Sequence, residues 1–409
     1  MKKFFLLIIL FLLSPTLVKS LELPVDVTAD SVILVNRDED RIIYTKNPDK
    51  VQILASLTKV MTLYTALNKI EKLDEKVTIT EKDVDNLWGF TQVGLKAGDV
   101  VTYRDLLYAT NLTSGADAAQ ALALHLSGSM ESFAEEMNEN AKKLGLNHTH
   151  FSDTIGREED DVSTAREFYI LLKTCLENET FEKIFNTTYY KMSNGLESIN
   201  YTRSVASFHG LDSNLITGNK SGYTPEAGLL LASTATINNI HYLLITMHSE
   251  ENQWKSTHVL ESWKIYDYLS TLEFRERTIL KKGKKLKKVN VENGTISEYL
   301  VTLDHDVKAT LTDEEYESIN IEYNIVDTID ANTKKGSNLG YVDILIGDET
   351  IDTINVYLND KIFTRQEESR LIILVIIGLA FAVFVLLCTS IIKVTRKPRG
   401  PSTSPPPSP

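Results

Sequence analysis

Cysteine is nearly missing from this chain of 409 residues: there are two, Cys175 and Cys388. Cys388 falls inside a long apolar run near the C-terminus, so the part before that run holds one thiol and can form no internal disulfide. That suits a bacterial surface protein held together by a large core better than a secreted animal protein. Metal-ligand patterns are missing as well. The eight histidines show no HExxH and no other ligand spacing, which excludes a zinc hydrolase and leaves no metal or cofactor to expect. No Ser-His-Asp pattern offers a histidine base for a serine either. Positive charge is scarce. The formal net charge is -13, and because the first 20 residues contribute +3 and the last 17 contribute +4, residues 21–392 carry -20. Such an acidic body argues against nucleic acid as a partner. There is no internal repeat.

The two ends carry the long apolar runs. Residues 1–20, MKKFFLLIILFLLSPTLVKS, join a lysine pair to a short apolar stretch and a small-residue end, the pattern of a secretory signal peptide. Residues 371–392 form an uncharged apolar run of 22 residues, about 33 Å long as a helix and so sufficient to cross a bilayer. Lys393, Arg396, Lys397 and Arg399 follow at once, which by the positive-inside rule puts residues 393–409 in the cytoplasm as a disordered tail. The expected location is the cell membrane, single-pass, with the folded part outside.

Between these ends the pattern changes once. From residue 21 to about 272, strand-like and helical periods mix. VTADSVILVNRDEDRIIYTKN reads as a β-hairpin, Tyr103 to Leu144 as helices with Ser114 between two of them, and Thr164 with Glu167 as a capping box. Leu229–Ala235 and His241–His248 read as strands joined by an asparagine-rich turn. From 273 to 365 helix signals become scarce and short strands alternate with turns such as Asn293-Gly294 and Lys335-Gly336. This predicts an α+β domain followed by a small all-β domain and one transmembrane helix. The lysine cluster at 281–288 reads as a solvated hairpin, and Glu158–Asp161 as a solvated acidic loop.

Three short motifs carry the chemistry. Ser56-Leu57-Thr58-Lys59 opens an apolar helix, and one turn brings its hydroxyl and its amine to one face. Ser114-Gly115-Ala116-Asp117 follows 58 residues later, and Lys220-Ser221-Gly222 another 106 on. A serine hydroxyl is a poor nucleophile until a base takes its proton, and Lys59 is the base within reach. An ordinary lysine titrates near ~10.4, so burial and a neighbouring cation, with Lys220 the candidate, must disfavour its ammonium form. Ser114 can then pass a proton to a leaving amine, while Lys220 and Ser221 hold a substrate carboxylate. The reaction expected is acyl transfer through a serine ester.

With these motifs in the same order, together with ASLTKVMT, LLYATNLTSGADAA, THFSDTIG, STARE and KSGYTPEAG, the chain resembles the low-molecular-mass penicillin-binding proteins, the serine-type D-alanyl-D-alanine carboxypeptidases. The resemblance implies a β-lactamase-like domain, an antiparallel sheet flanked by helices with the serine at their junction. It implies removal of the terminal D-alanine from peptidoglycan stem pentapeptides, with β-lactams as inhibitors acylating the same residue. Site roles follow from the match: Ser56 as nucleophile, Lys59 as base, Ser114 as proton relay, Lys220 and Ser221 for the carboxylate, and the backbone N–H groups of Ser56 and Tyr223 for the oxyanion. Ala116 departs from the asparagine usual in the second motif, and Ser221 from a threonine in the third. The absence of a Glu-x-x-Leu-Asn deacylation motif speaks against a β-lactamase. A catalytically impaired envelope protein that binds peptidoglycan or partner proteins is the alternative that Ala116 supports.

Overall fold

The structure is a computed structural model and describes residues 23, 25–347 and 349–395. The signal peptide expected at 1–20 and the tail from 396 on lie outside the described residues. The chain divides into two units. The first comprises residues up to 277 together with 309–320 and 345–351, and the second the remainder.

The first unit is built on a five-stranded antiparallel sheet of β1 (Ser31–Asn36), β2 (Arg41–Lys46), β3 (Gly218–Thr224), β4 (Gly228–Ile237) and β5 (Ile240–Ser249), in the order β2-β1-β5-β4-β3. The expected hairpin is β1–β2. The β4–β5 turn places Asn238 and Asn239 both at positive φ, 53° and 64°, the conformation a two-residue turn needs to match strand twist. β1 is buried on both faces because its alternation serves two cores: Ile33 and Val35 enter one apolar cluster, Val32 and Leu34 the other.

The larger core lies under six helices: α1 (Thr58–Lys69), α2 (Tyr103–Leu112), α3 (Ala116–Ser127), α4 (Met130–Lys143), α5 (Ala165–Leu176) and α6 (Glu179–Phe185). α1 is buried from Thr58 through Leu63, so even its polar residues face protein. α7 (Thr257–Thr271) covers the other face of the sheet with Ile265, Tyr266 and Leu269. Local signals set the helix starts. Thr102 and Asp105 form a reciprocal capping box at α2, the Asp105 carboxylate accepting from Thr102 N–H at 2.8 Å. At α5 only half of the expected box forms. Thr164 Oγ1 accepts from Glu167 N–H at 3.1 Å, but the Glu167 carboxylate accepts from the His148 N–H and the Thr149 hydroxyl instead.

C-terminal to α7, β6 (Lys285–Glu292) lies between β7 (Glu298–Thr302) and β9 (Thr328–Asp330), and β10 (Asn338–Ile346) lies between β8 (Ile319–Ile325) and β11 (Glu349–Tyr357). Gly340 permits the close approach of β8 and β10: a Cβ there would sit 2.0 Å from the Asn324 carbonyl oxygen. The lysine-rich turn at Gly283 does not close the hairpin expected of it, because β6 pairs with β7 and β9 and not with the strand before the turn. A helix over Arg365–Thr395 follows. Within its stretch Arg365–Cys388 an 18-residue window has mean hydropathy 3.4 and none of that window is buried, so by length and composition it can cross a membrane.

Candidate active site

Ser56 lies at the start of the helical segment, as expected, but ahead of α1 proper. It lies in a single 3₁₀ turn, Ala55–Leu57, just ahead of it. Ala55 is held at φ 44°, a conformation L-residues adopt at a cost of order 1–2 kcal/mol. The partner surfaces that hold it there are close. A Cβ on Gly156 would fall 1.8 Å from the Ala55 carbonyl oxygen, and one on Gly222 would fall 3.2 Å from the Ser56 backbone nitrogen. Glycine at both positions lets a loop and the edge strand β3 close on the turn that carries the hydroxyl.

Lys59, one turn on, is wholly buried, and its Nζ lies 3.0 Å from Ser56 Oγ and 2.7 Å from the Ile155 carbonyl oxygen. That carbonyl is aimed by Asp153, whose carboxylate accepts from the N–H groups of Ile155, Gly156 and Arg157 at 2.7, 2.7 and 2.8 Å. The same loop is tied to α1 by Thr62 Oγ1 donating to the Thr154 carbonyl and Thr58 Oγ1 donating to Asp161. Glu158, Glu159 and Asp160 are solvated as expected, but Asp161 is not: it is fully buried and accepts from Ser152 N–H at 2.6 Å. The alternation that would betray an inward carboxylate is invisible inside a run of four acids.

Ser114 joins α2 to α3 in the left-handed region, φ 59°, and Gly115 caps α3. The loop over 91–95 is pinned to that junction by Asp117, whose carboxylate accepts from the N–H groups of Val93, Gly94 and Leu95. Across the cleft Lys220, buried on β3, donates to Ser114 Oγ at 2.9 Å and to the Ser221 carbonyl at 2.8 Å. Ser56, Ser114, Lys220, Ser221 and Tyr223 thus line one cavity of about 410 Å³, with Lys59 beneath Ser56. Ala116 is fully buried with Leu87, Ala119 and Ile155, and the second partner of the Lys59 amine is the Ile155 carbonyl.

Burial is what lowers Lys59, to about 8, against the opposing carboxylates of Asp153, Asp161 and Asp117. The two lysine charges repel one another, as expected of Lys220. Lys220 is itself pushed well below the ordinary lysine range, first by burial and then by the Lys59 charge. Asp161 is raised by burial and by Asp153 beside it. The site therefore presents a hydroxyl against a buried amine that gives up its proton more readily than an ordinary lysine. Among the described residues no cluster of metal-ligating side chains occurs.

Residues 18–251 match the family described as D-alanyl-D-alanine carboxypeptidase, and residues 274–363 match the C-terminal domain of penicillin-binding protein 5. The chain is 28% identical over 323 residues, 76% of its own length and 80% of the relative's, to the D-alanyl-D-alanine carboxypeptidase DacF of Bacillus subtilis. It is 36% identical to the D-alanyl-D-alanine carboxypeptidase of a Streptomyces strain over 217 residues, 49% of this chain and 74% of that one. Its fold matches the crystal structure of penicillin-binding protein 5 from Haemophilus influenzae with a TM-score of 0.64 at 24% identity, covering 83% of this chain and 98% of that one.

Proposed function

Since the chain belongs to the D-alanyl-D-alanine carboxypeptidase family, we propose that it removes the terminal D-alanine of peptidoglycan stem pentapeptides through an ester on Ser56, and that β-lactams acylate the same hydroxyl. The observation that carries this reading is the buried Lys59 amine 3.0 Å from Ser56 Oγ, with its ammonium form disfavoured. In the first step Lys59 takes the hydroxyl proton as Ser56 Oγ attacks the carbonyl between the two D-alanines. Backbone N–H groups of Ser56 and Tyr223 receive the oxyanion, each such donor contributing roughly 3 kcal/mol in comparable sites. The proton returns through Ser114 to the leaving amine. Water then hydrolyses the ester with Lys59 again as base.

Lys220 and Ser221 take the terminal carboxylate. A carboxylate there supplies the counter-charge that burial denies Lys220 and favours its ammonium form, so substrate binding promotes proton uptake. A binding protein that has lost catalysis, the reading Ala116 favoured, has no use for a Lys59 whose ammonium is disfavoured by burial against Ser56.

D-alanine release from diacetyl-Lys-D-Ala-D-Ala by the parent, with none from Ser56→Ala, is the expected result. No release from a folded parent refutes the reading. The helix Arg365–Thr395 anchors the protein in the cell membrane, with the catalytic unit outside. Ending the chain at Thr364 should move it from the membrane fraction to the soluble one.

A further inference from the structure

The walls of the catalytic cleft contain two residues of formal charge, Lys220 and Lys255, and no carboxylate. In a protein of net charge -13, Lys255 is thus a cationic side chain in a cleft whose walls hold no carboxylate. Lys220 is committed to the terminal carboxylate of the substrate. Lys255 has no place in that chemistry.

Lys255 is nevertheless held in place. Its backbone is at φ 48°, where glycine is the ordinary occupant. The turn that holds it is built on Asn252, whose side-chain oxygen accepts from the N–H groups of Trp254 and Ser256, both at 3.0 Å, while Lys255 N–H donates to the Asn252 carbonyl at 2.9 Å. Ser256 Oγ is in turn 3.1 Å from His209 Nε2. The result puts the Lys255 ammonium 3.8 Å from the centre of the Tyr223 ring, at the cleft wall. Glu251, 3.7 Å from the ammonium, is not a wall residue.

We propose that Lys255 and Tyr223 form a second carboxylate subsite, which takes a carboxylate at the end of the side chain that precedes the D-alanyl pair. The inference rests on the carboxypeptidase reading above. Lys220 and Tyr223 are three residues apart on the edge strand β3, about 10 Å at the rise of a strand. A substrate lying extended along that edge, its terminal carboxylate at Lys220, carries the residue before the D-alanyl pair about 7 Å further along. A side chain of several methylenes ending in a carboxylate then reaches the ammonium over Tyr223. The subsite selects a diacid at that position over a neutral or cationic side chain.

The test is calorimetric titration of the full chain carrying Ser56→Ala, in detergent, with two peptides ending in D-Ala-D-Ala. They differ only in the preceding residue, 2-aminopimelate in one and its side-chain amide in the other. The acid should bind about fivefold more tightly, the upper end for a solvent-exposed ion pair. Lys255→Ala should bring the ratio to one, and Lys255→Arg should keep it. Equal affinities in the Ser56→Ala protein, a preference that survives Lys255→Ala, or no binding of either peptide overturns the proposal. Because Ser56→Ala cannot turn over, this outcome is separate from the D-alanine release assay, which tests the carboxypeptidase reading on the unaltered serine.

Discussion

Changing pH across the acylation reaction probes Lys59 directly. Its fall from 10.5 to about 8 is due to complete burial, and corresponds to roughly 3 kcal/mol of disfavour for the ammonium. The unprotonated fraction is then about one in eleven at pH 7, one half at pH 8 and about ten in eleven at pH 9. If proton removal from Ser56 limits acylation, the second-order rate with a fluorescent penicillin rises about fivefold from pH 7 to 8 and less than twofold from 8 to 9, then levels. A lysine at its ordinary value would instead give about tenfold per pH unit up to pH 10. Stopped-flow acylation over pH 6–10, with circular dichroism confirming the fold at each end, distinguishes the two curves. A log-linear rise through pH 9 would falsify the claim that burial sets this base.

Three further outcomes are expected. Gly156→Ala drives a Cβ to within 1.8 Å of the Ala55 carbonyl from a backbone at φ 79°; a loss of roughly 3 kcal/mol or more should appear in urea denaturation, with acylation abolished in any folded fraction. Ala116→Asn, which restores the residue usual at this position, must fit into the fully buried cluster of Leu87, Ala119 and Ile155. Overpacking of about 1–3 kcal/mol should lower the melting temperature without raising D-alanine release, and a faster enzyme would refute the view that Lys59 is already positioned by Ser56 and the Ile155 carbonyl. Because a bound carboxylate favours the Lys220 ammonium that burial disfavours, binding of a D-Ala-D-Ala peptide to Ser56→Ala should be accompanied by proton uptake in calorimetry across buffers of different ionisation heat, and that uptake should vanish in Lys220→Met.

Much of the site was legible because its spacing is local or its chemistry rare. Ser56 and Lys59 meet through one turn of backbone, and β3 follows from residues flanking Lys220. The hairpin turn at Asn238-Asn239 is likewise written in the residues that make it. What escaped depends on partners distant in sequence. Asp161 is buried by α1, and Thr58, its hydroxyl partner, is 103 residues away. Glu167 abandons its capping box for His148. A local pattern reports which conformations a segment tolerates, not which of two competing acceptors lies nearer once the chain has folded. The role of the Ile155 carbonyl could not have been read at all, since a backbone oxygen carries no side-chain signature.

The lone thiol has a practical consequence. Cys175 is fully buried, and burial raises it well above the ordinary thiol range, so the catalytic unit offers electrophiles no thiolate. Acylating probes and thiol-directed probes therefore report on different atoms of this molecule. A cysteine introduced on its surface can carry a maleimide dye while a β-lactam carries a second dye to Ser56. The native unit then supports two-colour distance measurements across the cleft without removal of any residue it already has.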